Sequence, residues 1–121
     1  MSEAQIQRAI VAYLRHVLPG AIVTHVPNEG VRGGHAGYLD GARAKAMGQT
    51  AGFPDILILP FAHIGPAFIE VKTATGRTST AQKIMHERLE ALGYRVAVVR
   101  SIDDARKALK AWGVWTQEAG E

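Results

Sequence analysis

Residues 52–72 read GFPDILILPFAHIGPAFIEVK. Two apolar runs, near Phe53–Leu59 and Ala67–Lys72, flank the segment Pro60–Pro66. That pattern predicts a β-hairpin. Ile56, Leu57, Ile58 and Leu59 are apolar on both faces, which predicts a central strand covered on both sides. Three charges interrupt the runs: Asp55, Glu70 and Lys72. Buried charges are costly unless paired or bound to a cation. Side chains alternate across a strand, so Glu70 and Lys72 share a face. Asp55 joins them if the hairpin register places it opposite.

On the C-terminal side, Thr73–Thr78 is a polar loop carrying Arg77. Ser79 and Gln82 have capping-box spacing and open a helix whose inward stripe is Met85, Leu89 and Leu92. Gly93 stops it. Tyr94–Val99 is the next strand. Ser101 and Asp104 then cap a last helix through Trp112, with Ala105, Ala108, Leu109 and Trp112 inward. Strand Ala67–Lys72, this helix and strand Tyr94–Val99 form a βαβ unit, so the two strands are expected to be parallel.

On the N-terminal side, Ser2–Leu18 reads as a helix with a Ser2/Gln5 capping box. Ile6, Ile10, Tyr13, Leu14 and Val17 make its apolar stripe, and Pro19-Gly20 ends it. Glu3 sits at the top of that stripe, where it also complements the helix dipole. Ala21–Val26 is a short β-branched strand, closed by a turn at Pro27-Asn28-Glu29-Gly30. His25 is read as structural or surface. Val31–Gln49 is irregular, mixing Arg32, His35, Arg43 and Lys45 with glycines. Within it, Tyr38–Met47 is expected to form a short helix with Ala42, Ala46 and Met47 inward. Such a Gly-rich basic segment either clamps a phosphate backbone or is a surface excursion. Its length within a compact domain favours the first.

The order helix, strand, loop, hairpin, helix, strand, helix predicts an α/β fold, one sheet with helices on both faces. At 121 residues the chain is expected to be one domain over residues 1–113, with 114–121 as a tail. Val114 and Trp115 either pack or reach a partner. There is no cysteine, hence no disulfide framework. No basic-then-apolar leader opens the chain, and no apolar run nears the ~20 residues needed to span a bilayer. A cytoplasmic location is expected. The net charge of +3 is compatible with a nucleic-acid partner but does not identify one.

Asp55 and Glu70 on neighbouring strands would make an all-oxygen pocket of the kind Mg²⁺ or Mn²⁺ prefers, and the backbone carbonyl of Val71 can add a ligand. Such a cation holds a phosphodiester oxygen and acidifies water. Lys72 is placed to hold the attacking water or stabilise charge growing on phosphorus. The five histidines, His16, His25, His35, His63 and His86, are scattered without metal-ligand spacing.

Pro54-Asp55 followed by Glu70-x-Lys72 resembles the PD-(D/E)xK nuclease pattern. Gly52-Phe53-Pro54-Asp55, Phe68-Ile69-Glu70-Val71-Lys72, Ser79-x-x-Gln82 and Leu92-Gly93-Tyr94-Arg95-Val96 together resemble its VRR-NUC branch, the virus-type replication-repair nucleases, over roughly Glu3–Asp104. The resemblance implies a restriction-endonuclease-like mixed sheet with flanking helices, an α-β-β-β-α-β core. It implies Asp55 and Glu70 as metal ligands and Lys72 as the catalytic lysine. Glu3 would complete the metal site, directly or through water, and Gln82 would lie at the active site. Asn28, Arg32, His35, Arg43, Lys45, Arg77 and Ser79 are the expected DNA contacts. The chain looks like a small stand-alone member of the kind found in phages and bacteria. Such members are similar to Holliday-junction resolvases, which work as homodimers. The interface is expected either in the segment around Val31–Met47 or at the Trp112–Trp115 end. Because no base-reading motif is present, the protein is expected to read phosphates and DNA shape. The alternatives are a nicking or restriction-like nuclease with sequence or end preference, and a catalytically silent DNA-binding protein of the same fold.

Overall fold

The computed structural model describes residues 1–27, 42–43 and 45–120. Helix α1 spans Glu3–Val17, with the Ser2/Gln5 capping box formed in both directions. Strands β1 (Ile22–His25), β2 (Ile56–Leu59) and β3 (Ala67–Val71) follow. Helix α2 (Thr80–Ala91), strand β4 (Arg95–Val99), helix α3 (Ile102–Ala111) and a short α4 (Gln117–Gly120) complete the order. The sheet runs β1-β2-β3-β4. The first two pairings are antiparallel and β3–β4 is parallel. This is the mixed sheet with flanking helices that the residue pattern predicts.

Strand alternation sorts the core into two layers. Ile56, Ile58, Ala67, Ile69 and Val71 face α1 and α3, meeting Ile6, Ile10, Leu14, Ala105 and Leu109 in the main core. Leu57 and Phe68 face α2, in a small cluster with Met85, Leu89, Phe53 and Val96. A fully buried Ile or Leu contributes roughly 1.5–3 kcal/mol. The α1 side therefore carries most of the stability, and α2 is held by only a few side chains. Edge-to-face contacts of Phe68 with Phe53 (5.4 Å) and Tyr94 (6.1 Å) reinforce that thinner layer.

Several expectations change. The strand buried along its whole length is β3, whereas Leu57 is half-buried and Leu59 is 38% exposed. β2 pairs with a short strand on one side, and helices do not cover its far end. Leu92 is 72% exposed because α2 has already turned it past the sheet. His86 takes the inward position on that helix instead. Residues 42–43 and 45–46 are helical, and the Met47 amide donates to the Arg43 carbonyl at 2.9 Å. Ala42, Ala46 and Met47 are exposed, not inward, and the rest of the expected Tyr38–Met47 helix is outside the described residues. Val114 is buried in the main core, while Trp115 is 53% exposed and so is not a core tryptophan. Arg106 ties the chain end down, pairing with Glu118 at 2.6 Å and lying over the Tyr13 ring.

Candidate active site

The β2–β3 ladder ends at the pair Ile56↔Ile69. One step further, Asp55 stands opposite Glu70, on the face shared by Leu57 and Phe68. The register condition is therefore met. Asp55 Oδ2 accepts a hydrogen bond from the Val71 amide at 2.8 Å, which fixes the carboxyl at the strand end. Its backbone carbonyl accepts from the Val26 amide at 2.7 Å, tying the segment to the residue after β1.

Glu70 is 1% exposed. Both of its oxygens have a partner on α2: Gln82 Nε2 donates to Oε2 at 3.1 Å, and His86 Nε2 lies 3.3 Å from Oε1. The capping box sets the orientation of the Gln82 amide. Its Oε1 accepts from the Ser79 amide at 2.9 Å, which leaves the NH₂ for Glu70. Gln82 is thus both a cap residue and a hydrogen-bond donor to Glu70, and the Ser79 hydroxyl accepts from the Gln82 backbone amide at 3.1 Å.

Burial pushes the Glu70 carboxyl up to about 9, helped by a hydrogen bond and charge repulsion from Asp55 and by Glu3, against the pull of Lys72. His86 is lowered, chiefly by burial, and Lys72 lowers it further against Glu90 and Asp55. Both shifts favour the uncharged forms and so weaken any ion pair between His86 and Glu70. The Lys72 charge acts on both groups, and its backbone amide donates to the Val99 carbonyl at 3.0 Å.

A cleft of about 380 Å³ opens on Asp55, with Glu3, Gln7, Arg8, His25, Phe53 and Gln82 in its walls. Glu3 therefore reaches the site from α1, as the helix geometry predicts. His25 also lines this cleft, and its Nδ1 lies 2.8 Å from Gln7 Nε2 and 3.1 Å from the Asp55 carbonyl. Phe53 borders a second hollow of about 450 Å³, with Met47, Gly48 and Pro27 in its walls. Exposed Arg43 and Lys45 lie on the helical segment that ends at this hollow. Exposed Arg77 lies on the loop after β3. Asn28, Arg32 and His35 are outside the described residues.

A buried Glu70 carboxyl, held toward its protonated form, beside half-buried Asp55 is a donor set that a hard divalent cation neutralises. Mg²⁺ commonly uses one or two carboxylates and keeps several waters. Asp55 and Glu70 fit that role. Among the described residues no three His, Cys, Asp or Glu side chains assemble a ready-made metal cluster. Glu3 shares the cleft with Asp55 without closing such a cluster.

Sequence reasoning missed two residues. His86 was set aside as one of five scattered histidines, although it stands four residues after Gln82 and so on the same helix face. Arg100 Nη1 donates to the Thr73 and Gly76 carbonyls, both at 2.6 Å, and pins the loop that follows Lys72. Nothing in the local sequence marks Arg100, because the parallel register brings it there.

The VRR-NUC domain family model matches residues 1–103. No curated protein matches the chain. A solved structure described as a VRR_NUC domain protein is similar at 22% identity and a TM-score of 0.72, covering 93% of this chain and 88% of its own. Another, described as a VRR_NUC domain, has 23% identity and a TM-score of 0.60, covering 89% and 94%.

Proposed function

Because the chain belongs to the VRR-NUC family, nucleases of the PD-(D/E)xK type, we propose that it is a Mg²⁺- or Mn²⁺-dependent endonuclease. It hydrolyses phosphodiester bonds of branched DNA such as Holliday junctions and works as a homodimer. The observation that carries the catalytic part is buried Glu70 opposite half-buried Asp55, which opens on the cleft, with the Lys72 charge acting on Glu70.

Asp55 and Glu70 would hold the cation, with the Val71 carbonyl as a further ligand and Glu3 completing the site directly or through water. When bound, the cation supplies neutralising charge for the two carboxylates and Lewis acidity toward the phosphodiester. The Val71 amide keeps Asp55 aimed at the site, and Gln82 does the same for Glu70. The Lys72 ammonium donates to the attacking water and offsets negative charge growing on phosphorus. Arg43, Lys45 and Arg77 contact phosphates outside the cleft, with Asn28, Arg32, His35 and Ser79 as further contacts. Phosphate contacts set position without reading bases, which fits selectivity by DNA shape. Symmetric cutting of a junction needs two such sites related by a two-fold axis.

The test is a cleavage panel of duplex, flap, splayed-arm and four-way junction DNA, each with Mg²⁺, Mn²⁺ or EDTA. Metal-dependent cutting that favours the junction is the expected result. Cutting of plain duplex at preferred sequences or ends would move the protein to a restriction-like or nicking role. Binding without cutting on every substrate and cation would leave a DNA-binding protein only.

A further inference from the structure

Glu70 is the most deeply buried charged side chain among the described residues, and its carboxyl has to face Asp55. The terminal torsion of a glutamate is broad, so burial alone does not fix the plane of its oxygens. A single donor would fix one oxygen and leave the other free to swing. Here α2 supplies two hydrogen-bonding partners, one helical turn apart. Gln82 takes Oε2, its amide orientation already dictated by the cap at Ser79. His86 takes Oε1 from a position beside Met85 and Leu89 on the buried face of the helix. His86 is 9% exposed, so it is largely walled off from solvent.

We infer that His86 is a positioning residue: its Nε2–H holds Oε1 of Glu70 and, together with Gln82, fixes the plane of the carboxyl that faces Asp55. The inference rests on the nuclease reading above. His86 touches no reacting atom. Its effect passes through Glu70, in the way that partners of a metal-holding side chain orient it and typically change affinity or activity 10–100-fold when lost.

Two full-length variants test it. His86→Gln places an amide nitrogen where Nε2 stood. His86→Phe keeps an aromatic ring and loses the donor. Three quantities are read: kcat and KM separately on the cleaved DNA, Mn²⁺ affinity by calorimetry, and the histidine tautomer of the metal-free wild type from long-range ¹H–¹⁵N spectra. The expected spectrum shows His86 as the Nε2–H tautomer. His86→Phe is expected to lower kcat and Mn²⁺ affinity by about 10–100-fold with KM nearly unchanged, while His86→Gln recovers most of both. An Nδ1–H tautomer overturns the inference, because Oε1 then receives no proton from the ring. So does a His86→Phe protein with wild-type kcat and Mn²⁺ affinity, or a folded His86→Gln protein as impaired as His86→Phe. If the wild type cuts no DNA, the nuclease reading fails by itself, and the tautomer still decides the role of His86.

Discussion

Replacing Glu70 by Gln is expected to stabilise the cation-free protein at neutral pH, although it removes a proposed ligand. The folded carboxyl holds its proton up to about 9, against 4.5 for a free glutamate. The unfolded chain therefore loses that proton first. A raised acid of this kind costs nothing below pH 4.5 and progressively destabilises the fold as pH rises toward 9. Each pKa unit corresponds to about 1.4 kcal/mol, so at pH 7 the cost is on the order of 3 kcal/mol. Glutamine cannot titrate and carries no such cost. It does present an NH₂ to one of the two α2 donors, a pH-independent penalty of about 1 kcal/mol. The informative quantity is thus the pH dependence of the difference between the two proteins. Thermal unfolding in EDTA from pH 5 to pH 8 should show Glu70→Gln gaining on the wild type by ~10 °C across that range. Mn²⁺ at about 100 times its dissociation constant should then restore roughly 2.7 kcal/mol to the wild type and little to the variant. A stability difference that stays constant from pH 5 to pH 8 would refute the reasoning, since Glu70 would then not be the group held protonated.

Lys72→Ala should abolish cleavage while leaving the dissociation constant for junction DNA within about twofold, because one phosphate-facing charge among several contributes little to binding; gel-shift and cleavage assays on one protein sample check it, and retained activity would remove Lys72 from the chemistry. Asp55→Asn should weaken Mg²⁺ or Mn²⁺ binding at least tenfold by calorimetry, on the order of the loss seen for perturbed metal ligands; unchanged affinity would take Asp55 out of the site. Gly52→Ala should cost about 2–4 kcal/mol in urea unfolding. Gly52 has φ +76°, and a Cβ there would lie 2.4 Å from the Ala81 carbonyl oxygen and 2.8 Å from the Gln82 nitrogen, so a change under about 0.5 kcal/mol would show that α2 does not depend on this contact. Light scattering with junction DNA should give two chains per complex, and a protein mass that stays at 13.0 kDa would count against the homodimer.

The acids and the lysine were legible because their environment is local. Pro54-Asp55 opens one apolar strand, Glu70 and Lys72 share a face of the next, and a hairpin between them needs no long-range information. Helix caps were legible for the same reason, since Ser2/Gln5 and Ser79/Gln82 satisfy backbone donors three residues away. The inward face of α2 was read half correctly. Met85 and Leu89 are buried, but the choice between Leu92 and His86 depends on where the helix leaves the sheet, and hydrophobicity favoured the wrong one. The Val31–Gln49 segment fared worst: its composition offers no dominant periodicity, and its described part is exposed where an inward stripe was expected.

The sequence by itself thus determined the order of elements, the hairpin, the helix ends and the sheet face on which Asp55 and Glu70 fall, all set by interactions within a few residues or by strand alternation. Only the tertiary structure decided that Glu70 is clamped by His86 as well as Gln82, that Arg100 pins the loop after Lys72, and that β3 rather than β2 is the fully covered strand. Those outcomes depend on the strand register and on how α2 packs its Met85 and Leu89 against Phe68. Burial and dielectric, which push Glu70 up and His86 down, are properties of all the neighbours at once and of no single stretch of chain.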